Sequence, residues 1–350
     1  MNTLASPTRL TPSRRSLLRG VLGVGALTVG APLLAACGSD DDSSSDGSSG
    51  SGSLAGSFQT GWVPTVEQAG TYVGDDKGYF AAAGLDLTIL AGGPNTAVDS
   101  VVISGDAFVG NSNTDAVAEM IQNGAAVKVI AARFQKSPFC VYSLADKALT
   151  TPQELVGKKI GVAAANEAPF KTFLAINGVD VKDVTIVPVQ FDPAPTANGE
   201  VDAQAGFSID QPATLKAQGL DVHTMLFSDF GYSIYSSALF ATTKTISERP
   251  DLLKAFLTGE RKGWQGNYQD PAEGARLAVE VYGKDTGLDL AQQTLASEAT
   301  KDLVVSDEVG PEEILALTDT MIGKNIDTLK QIGTDITADD LFDTSILESL

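Results

Sequence analysis

Histidine and cysteine are nearly missing from these 350 residues, which hold one of the first and two of the second. Zinc sites of Cys/His type and Ser-His-Asp or Cys-His catalytic sets therefore have almost no raw material, and no metal, cofactor or catalytic residue is expected. His223, which follows Val222 at an expected strand end, reads as a plain surface histidine. No Gly-x-x-x-x-Gly-Lys phosphate loop occurs, so the chain is not expected to hydrolyse a nucleotide itself. Positive charge is scarce as well. Lys and Arg total 24 against 44 Asp and Glu, a net charge of −20. Arg9, Arg14, Arg15 and Arg19 stand among the first 36 residues, where there are no acids, so the rest is more acidic still. Such a body is repelled by phosphate backbones, which removes nucleic acid as a partner and leaves a solubilising acidic surface. The pairs Asp75-Asp76 and Asp339-Asp340 belong to that solvated surface.

What is present is apolar and patterned. With 43% hydrophobic residues, the chain can form one large domain or two lobes, each with its own core. Its beginning reads as an address. Arg14-Arg15 precede a glycine-rich apolar run, Val21 to Ala36, that ends in Leu34-Ala-Ala-Cys37. Basic, apolar and small-residue regions in that order make residues 1–36 an export signal, similar to a twin-arginine signal ending in a bacterial lipobox. The general export route stays open. Cleavage would leave Cys37 to be lipidated, and Cys140 would then have no cysteine partner for an intrachain disulfide. Residues 37–57, mostly Gly, Ser and Asp, read as a flexible tether of roughly 20 Å root-mean-square span or slightly more.

The body is organised around residues 58–94. Phe58-Gln-Thr-Gly-Trp62-Val-Pro64 reads as a strand and loop, Val66, Ala69 and Val73 recur at helical spacing, and Gly78 and Gly84 end apolar runs. Leu85, Leu87 and Ile89 then alternate as a strand does. A βαβ unit of this kind puts Trp62 on a loop at the carboxyl edge of a parallel sheet, where open α/β folds bind ligands. Asn111 and Asn113 end a later strand and face the same edge, though both are also ordinary helix caps. Asp210, ahead of Gln211-Pro212, can accept from a ligand's N–H groups or merely cap a helix.

The pieces Lys77-Gly-Tyr-Phe80, Gly84-Leu-Asp86, Asp106-Ala-Phe-Val-Gly110, Gly157-Lys-Lys-Ile-Gly-Val162, Gly199-Glu-Val-Asp-Ala203 and Pro250-Asp-Leu-Leu-Lys-Ala-Phe256 recur in one family. In that order they resemble the solute-binding proteins of ABC importers that serve nitrate, taurine, alkanesulfonates and thiamine-pyrimidine precursors. The resemblance covers residues 58–350 apart from variable loops. It implies the two-lobed type II periplasmic-binding fold, an α/β architecture in which each lobe is a mainly parallel sheet flanked by helices. Lobe one would take residues 58–140 and 238–350 and lobe two residues 141–237, joined by two crossing segments. Glu167, at a helix start after the second lobe's first strand, and Tyr235, near the return crossing, would join Trp62, Asn111, Asn113 and Asp210 around the ligand. Pro169 and Phe170 depart from the small residues usual there.

The implied role is a monomeric, lipid-anchored extracytoplasmic receptor that delivers a small molecule to a permease driven by a separate ATPase. Aromatic faces and acceptors favour a flat nitrogen heterocycle, a pyrimidine precursor or a flavin, over a bare anion. An alkanesulfonate, taurine or nitrate receptor, a ligand-sensing subunit and a pyrimidine-synthase-like enzyme are the alternatives. A single histidine and an export signal weigh against the enzyme.

Overall fold

The computed structural model describes residues 54–350. The paired arginines, the apolar run, Cys37 and most of the expected tether lie outside the described residues. The last four tether positions do not: Leu54 to Ser57 form the start of β1 (Leu54–Gln59), paired in parallel with Leu85 to Thr88 of β2 (Leu85–Leu90). Ladder hydrogen bonds and the packing of Leu54 on the core join this stretch to the sheet, so the body includes residues ahead of Phe58.

Eight further strands follow: β3 (Val109–Ser112), β4 (Val127–Phe134), β5 (Phe139–Leu144), β6 (Lys159–Ala163), β7 (Thr185–Val189), β8 (Ala203–Phe207), β9 (Val222–Leu226) and β10 (Ser236–Thr242). They make two five-stranded sheets, ordered β2-β1-β3-β10-β4 and β7-β6-β8-β5-β9. Each has one antiparallel member in the same place, β10 in the first and β5 in the second, among strands that otherwise run together. The α/β class and mainly parallel sheets expected from the sequence are what the structure has. The chain crosses between sheets twice, through Gln135–Pro138 and through the segment from Phe227 to Tyr235. Phe139 and Cys140 already pair in the second sheet, and Ser236 in the first.

Apolar side chains at strand and helix periods build the cores. Under the first sheet, Phe58, Phe80 and Phe108 gather around Phe256 at ring separations of 5.3 to 5.8 Å. The helix Pro250–Gln269 brings Phe256 there and packs along the helix Ala69–Asp76. These two helices meet through glycine. A Cβ on Gly263 would stand 2.0 Å from the carbonyl oxygen of Gly70, and one on Gly70 would enter the ring of the buried Trp264. In the second sheet Phe173 stacks on Phe227 at 4.1 Å, with Phe139, Phe170 and Tyr232 around them. Phe170 is thus core, and its departure from the usual small residue fills the lobe rather than the cleft.

One charged pair lies in the first core. Arg133, on β4, is fully buried and donates to both carboxylate oxygens of Glu260 at 3.0 and 3.1 Å. It also donates to Gln68 Oε1 at 2.5 Å and Thr71 Oγ1 at 2.8 Å, while its carbon lies 4.8 Å from the centre of the Phe58 ring. The pair ties β4 to both glycine-packed helices. Among the described residues no helix is long and apolar enough to cross a membrane.

Candidate functional site

The loops after β1, β2 and β3 face those after β6, β7 and β8 across a cavity of about 400 Å³. Its walls are the carboxyl ends of parallel strands from both sheets, the edge where such sheets leave backbone groups and side chains free for a ligand.

Trp62 lines it from the loop after β1. That loop is held by its backbone. Thr60 Oγ1 accepts from Gly92 N at 2.8 Å and donates to the carbonyls of Trp62 and Leu90 at 3.1 and 3.2 Å. Asn111 Oδ1 accepts from Gly61 N at 2.7 Å. Gly92 is required by close approach: a Cβ there would stand 2.2 Å from Thr60 O and 2.8 Å from Trp62 N. Overpacking of this kind costs about 1–3 kcal/mol. Since the strain falls on the Trp62 loop, Gly92→Ala should weaken ligand binding roughly 10-fold or more. Calorimetry on the folded variant measures this; unchanged affinity would mean the loop yields without moving the indole.

Opposite Trp62 stands Phe191, after β7, with ring centroids 5.4 Å apart and planes at 67°. Phe191 is still 40% exposed. A tryptophan from one sheet and a phenylalanine from the other thus meet edge to face at the cavity. Below them Asn113 Oδ1 accepts from Ser236 Oγ at 2.5 Å and from Ser237 N at 3.3 Å, and its side chain caps no helix. Asn111 is nearly fully spent: besides Gly61 it donates to Ser237 Oγ at 3.2 Å and to Glu67 Oε1 at 3.4 Å. It fixes the loop and Glu67 more than it offers itself to a ligand. Ser237 is one of two described non-glycine residues with positive φ, at 48°. Such backbone strain gathers at sites that need a side chain aimed against its preference.

Two acids face each other here from opposite sheets. Glu67, in the first turn after the Trp62 loop, is pushed above the usual carboxylate range by burial, partly opposed by the charge of Arg133 and a hydrogen bond with Ser237. The charge of Asp210 also raises it. Asp210 is open to the water of the cleft but crowded by protein, and this loss of bulk solvent pushes its carboxyl up to about 6. Asp210 precedes the helix Gln211–Ala217 without a side-chain capping bond. Its Oδ2 accepts from Gln211 Nε2 at 3.1 Å, and Gln211 Oε1 in turn accepts from Phe207 N at 2.9 Å. Asp210 therefore lines the cavity and does not cap the helix.

Four expected residues, Trp62, Asn111, Asn113 and Asp210, therefore line one cavity, and two do not. Glu167 turns to the surface and pairs with Lys171 at 2.5 Å, one helical turn on. Glu167 does open the helix Glu167–Ile176, directly after the 3-10 turn Ala164–Asn166, but it is Asn166, one residue earlier, that lines the cavity. Tyr235 is fully buried; its hydroxyl accepts from Thr318 N at 3.1 Å and its ring edges onto Phe342. It anchors the return crossing to the segment after Ala316. Glu67, Phe191 and Ser237 went unread in the sequence. Only the first carried a signal there, an acid in the first turn of the helix that follows the ligand loop.

The family described as NMT1/THI5 like matches residues 65–274, which run from the Trp62 loop through the buried pair to the glycine-packed helices. The chain belongs to the NMT1/THI5-like family. Among relatives of this NMT1/THI5-like chain, the riboflavin-binding protein RibY of Chloroflexus aurantiacus is 24% identical over 226 residues, 63% of this chain and 64% of RibY. The formylaminopyrimidine-binding protein of Halalkalibacterium halodurans is 26% identical over 227 residues, 62% of this chain and 68% of its own. The match thus spans slightly under two thirds of the first of them. The fold is that of the periplasmic aliphatic sulphonate binding protein SsuA from Escherichia coli, with a TM-score of 0.62 at 12% identity over 80% of this chain and 92% of SsuA. The desulfurization enzyme DSZB shares it too, with a TM-score of 0.57 at 13% identity over 85% of this chain and 98% of DSZB.

Proposed function

We propose that this NMT1/THI5-like protein is an extracytoplasmic receptor that captures a flat nitrogen heterocycle and hands it to an ABC permease with a separate ATPase. The observation that carries the reading is the Trp62–Phe191 pair, two aromatic faces from opposite sheets, above a cavity walled by Glu67, Asn113 and Asp210. Rings stack on such faces, and carboxylate and amide oxygens accept from ring N–H and amino groups. The names of the two relatives, one binding riboflavin and one a formylaminopyrimidine, support the same ligand class. No Lys, Arg or His stands among the residues that line the cavity, so a nitrate or sulfonate would be desolvated without a partner charge. We read the cavity as binding rather than catalysing, with two lobes, one built on each sheet, closing about the crossing segments, and with Cys37 lipidated after twin-arginine export to hold the body at the membrane.

Isothermal titration against riboflavin, a formylaminopyrimidine, taurine, an alkanesulfonate and nitrate tests this. One of the two heterocycles should bind at micromolar affinity or tighter and the three anion-bearing compounds should not. Binding of a sulfonate or nitrate with neither heterocycle would end the reading. Small-angle scattering on the same samples should show a smaller radius of gyration with the bound heterocycle.

A further inference from the structure

The cavity is not merely polar; it is acidic on both walls. Glu67 and Asp99 line it from the first sheet's side and Asp210 from the second's. Lysine, arginine and histidine are absent from the lining. The guanidinium of Arg133 does act on Glu67, but it is fully buried and already neutralised by Glu260 at 3.0 Å. The carboxylates are also not exhausted by the protein. Gln211 donates to Oδ2 of Asp210, whereas Oδ1 takes no donor from the described residues, and Glu67 is met by Ser237 and, at 3.4 Å, by Asn111.

Accepting the heterocycle reading above, on which this step rests, we infer that the cleft selects its ligand by charge: it takes a neutral or cationic heterocycle whose edge presents N–H donors to Glu67 and Asp210, and it rejects the phosphate ester of the same molecule. A donor edge or an ammonium group placed between two carboxylates from opposite sheets bonds to both and relieves their repulsion. A phosphate monoester brings about 1.5 to 2 further negative charges. At a protein-like dielectric, one like charge held about 5 Å away weakens binding on the order of 100-fold. Specificity of this kind comes from a repulsive element as much as from an attractive one.

Two ligand series on fixed rings test it: riboflavin with its 5′-phosphate, and an aminopyrimidine bearing a hydroxymethyl, an aminomethyl or a phosphorylated hydroxymethyl group. On the ring that binds, the phosphate should be at least about 100-fold weaker than its alcohol, and on the pyrimidine the aminomethyl compound should bind at least as tightly as the alcohol. The pair Glu67→Gln with Asp210→Asn, checked for an unchanged melting curve, should shrink the phosphate penalty to roughly 10-fold or less. Alcohol and phosphate binding within about threefold of each other would overturn the inference while leaving the heterocycle reading intact. A penalty that persists undiminished in the folded double variant would make the exclusion steric and overturn it too; if that variant does not fold, the wild-type ratios decide. Should no member of either series bind, the heterocycle reading falls and this inference with it.

Discussion

Trp62→Ala is expected to weaken ligand binding by about 1.5–3.5 kcal/mol, on the order of 10-fold to several hundred-fold, and to leave the melting temperature close to wild type. Stacking of a flat ring on the indole contributes about 0.5–1.5 kcal/mol beyond area burial, and the buried aromatic surface roughly another 1–2 kcal/mol. Stability should hold because Trp62 is only half-buried and its one ring contact is the still exposed Phe191. The loop keeps its shape through Thr60, Asn111 and Gly92, none of which needs the indole. Calorimetric titration and thermal melting of one purified variant test both halves. The chain has two tryptophans and the other, Trp264, is fully buried, so a ligand-dependent change in emission that vanishes in Trp62→Ala reports the same event. A variant that melts far lower, yet whose folded fraction binds normally, would make Trp62 a structural residue.

The second large effect falls on the fold. Arg133→Met leaves the carboxylate of Glu260 buried without a counter-charge, and breaking such a pair from one side costs about 3–5 kcal/mol. Thr71 and Gln68 would lose their donor as well. A drop in melting temperature on the order of 10 °C is expected. Adding Glu260→Leu should recover much of it, because a volume-matched apolar pair often replaces a buried ion pair at little cost. Thermal melts of the single and double variants measure both steps. A double variant no better than the single would show that the network's other hydrogen bonds, rather than the uncompensated charge, carry the loss.

Much of this was legible in the chain because local rules and tertiary packing agree over its length. Val66, Ala69 and Val73 sit buried as their helical spacing requires, and Gly78 and Gly84 take the positive φ that their places after apolar runs suggested. Trp62, Asn113 and Asp210 could be placed because strand ends in a parallel sheet share an edge. The misses have equally local causes. Glu167 opens its helix as expected, yet one residue moves a side chain about 100° around an α-helix, so Glu167 turns to Lys171 while Asn166 takes the cavity. Tyr235 lies one residue before β10, and nothing in the sequence told a strand entering the core from a loop entering the cleft. Phe191 meets the cavity through its contact with Trp62 from the other sheet, and Ser237 through bonds to Asn111 and Asn113 from the neighbouring strand, both at a level that periodicity does not reach.

The placement of β10 has a consequence for the order in which the chain can fold as it is made. This strand is the link between β3 and β4, so until it exists the first sheet is split and its core has an open wall. Roughly 100 residues, including the whole second sheet, emerge between β4 and β10. At about 5–20 residues per second, synthesis leaves Val129, Ala131 and Phe134 uncovered for roughly 5–20 s. During that interval the second sheet can close on itself, while the segment first off the ribosome must wait for one of the last strands. Holdase chaperones that bind exposed apolar strands should therefore find their main target in β1 to β4 rather than in the lobe made after them.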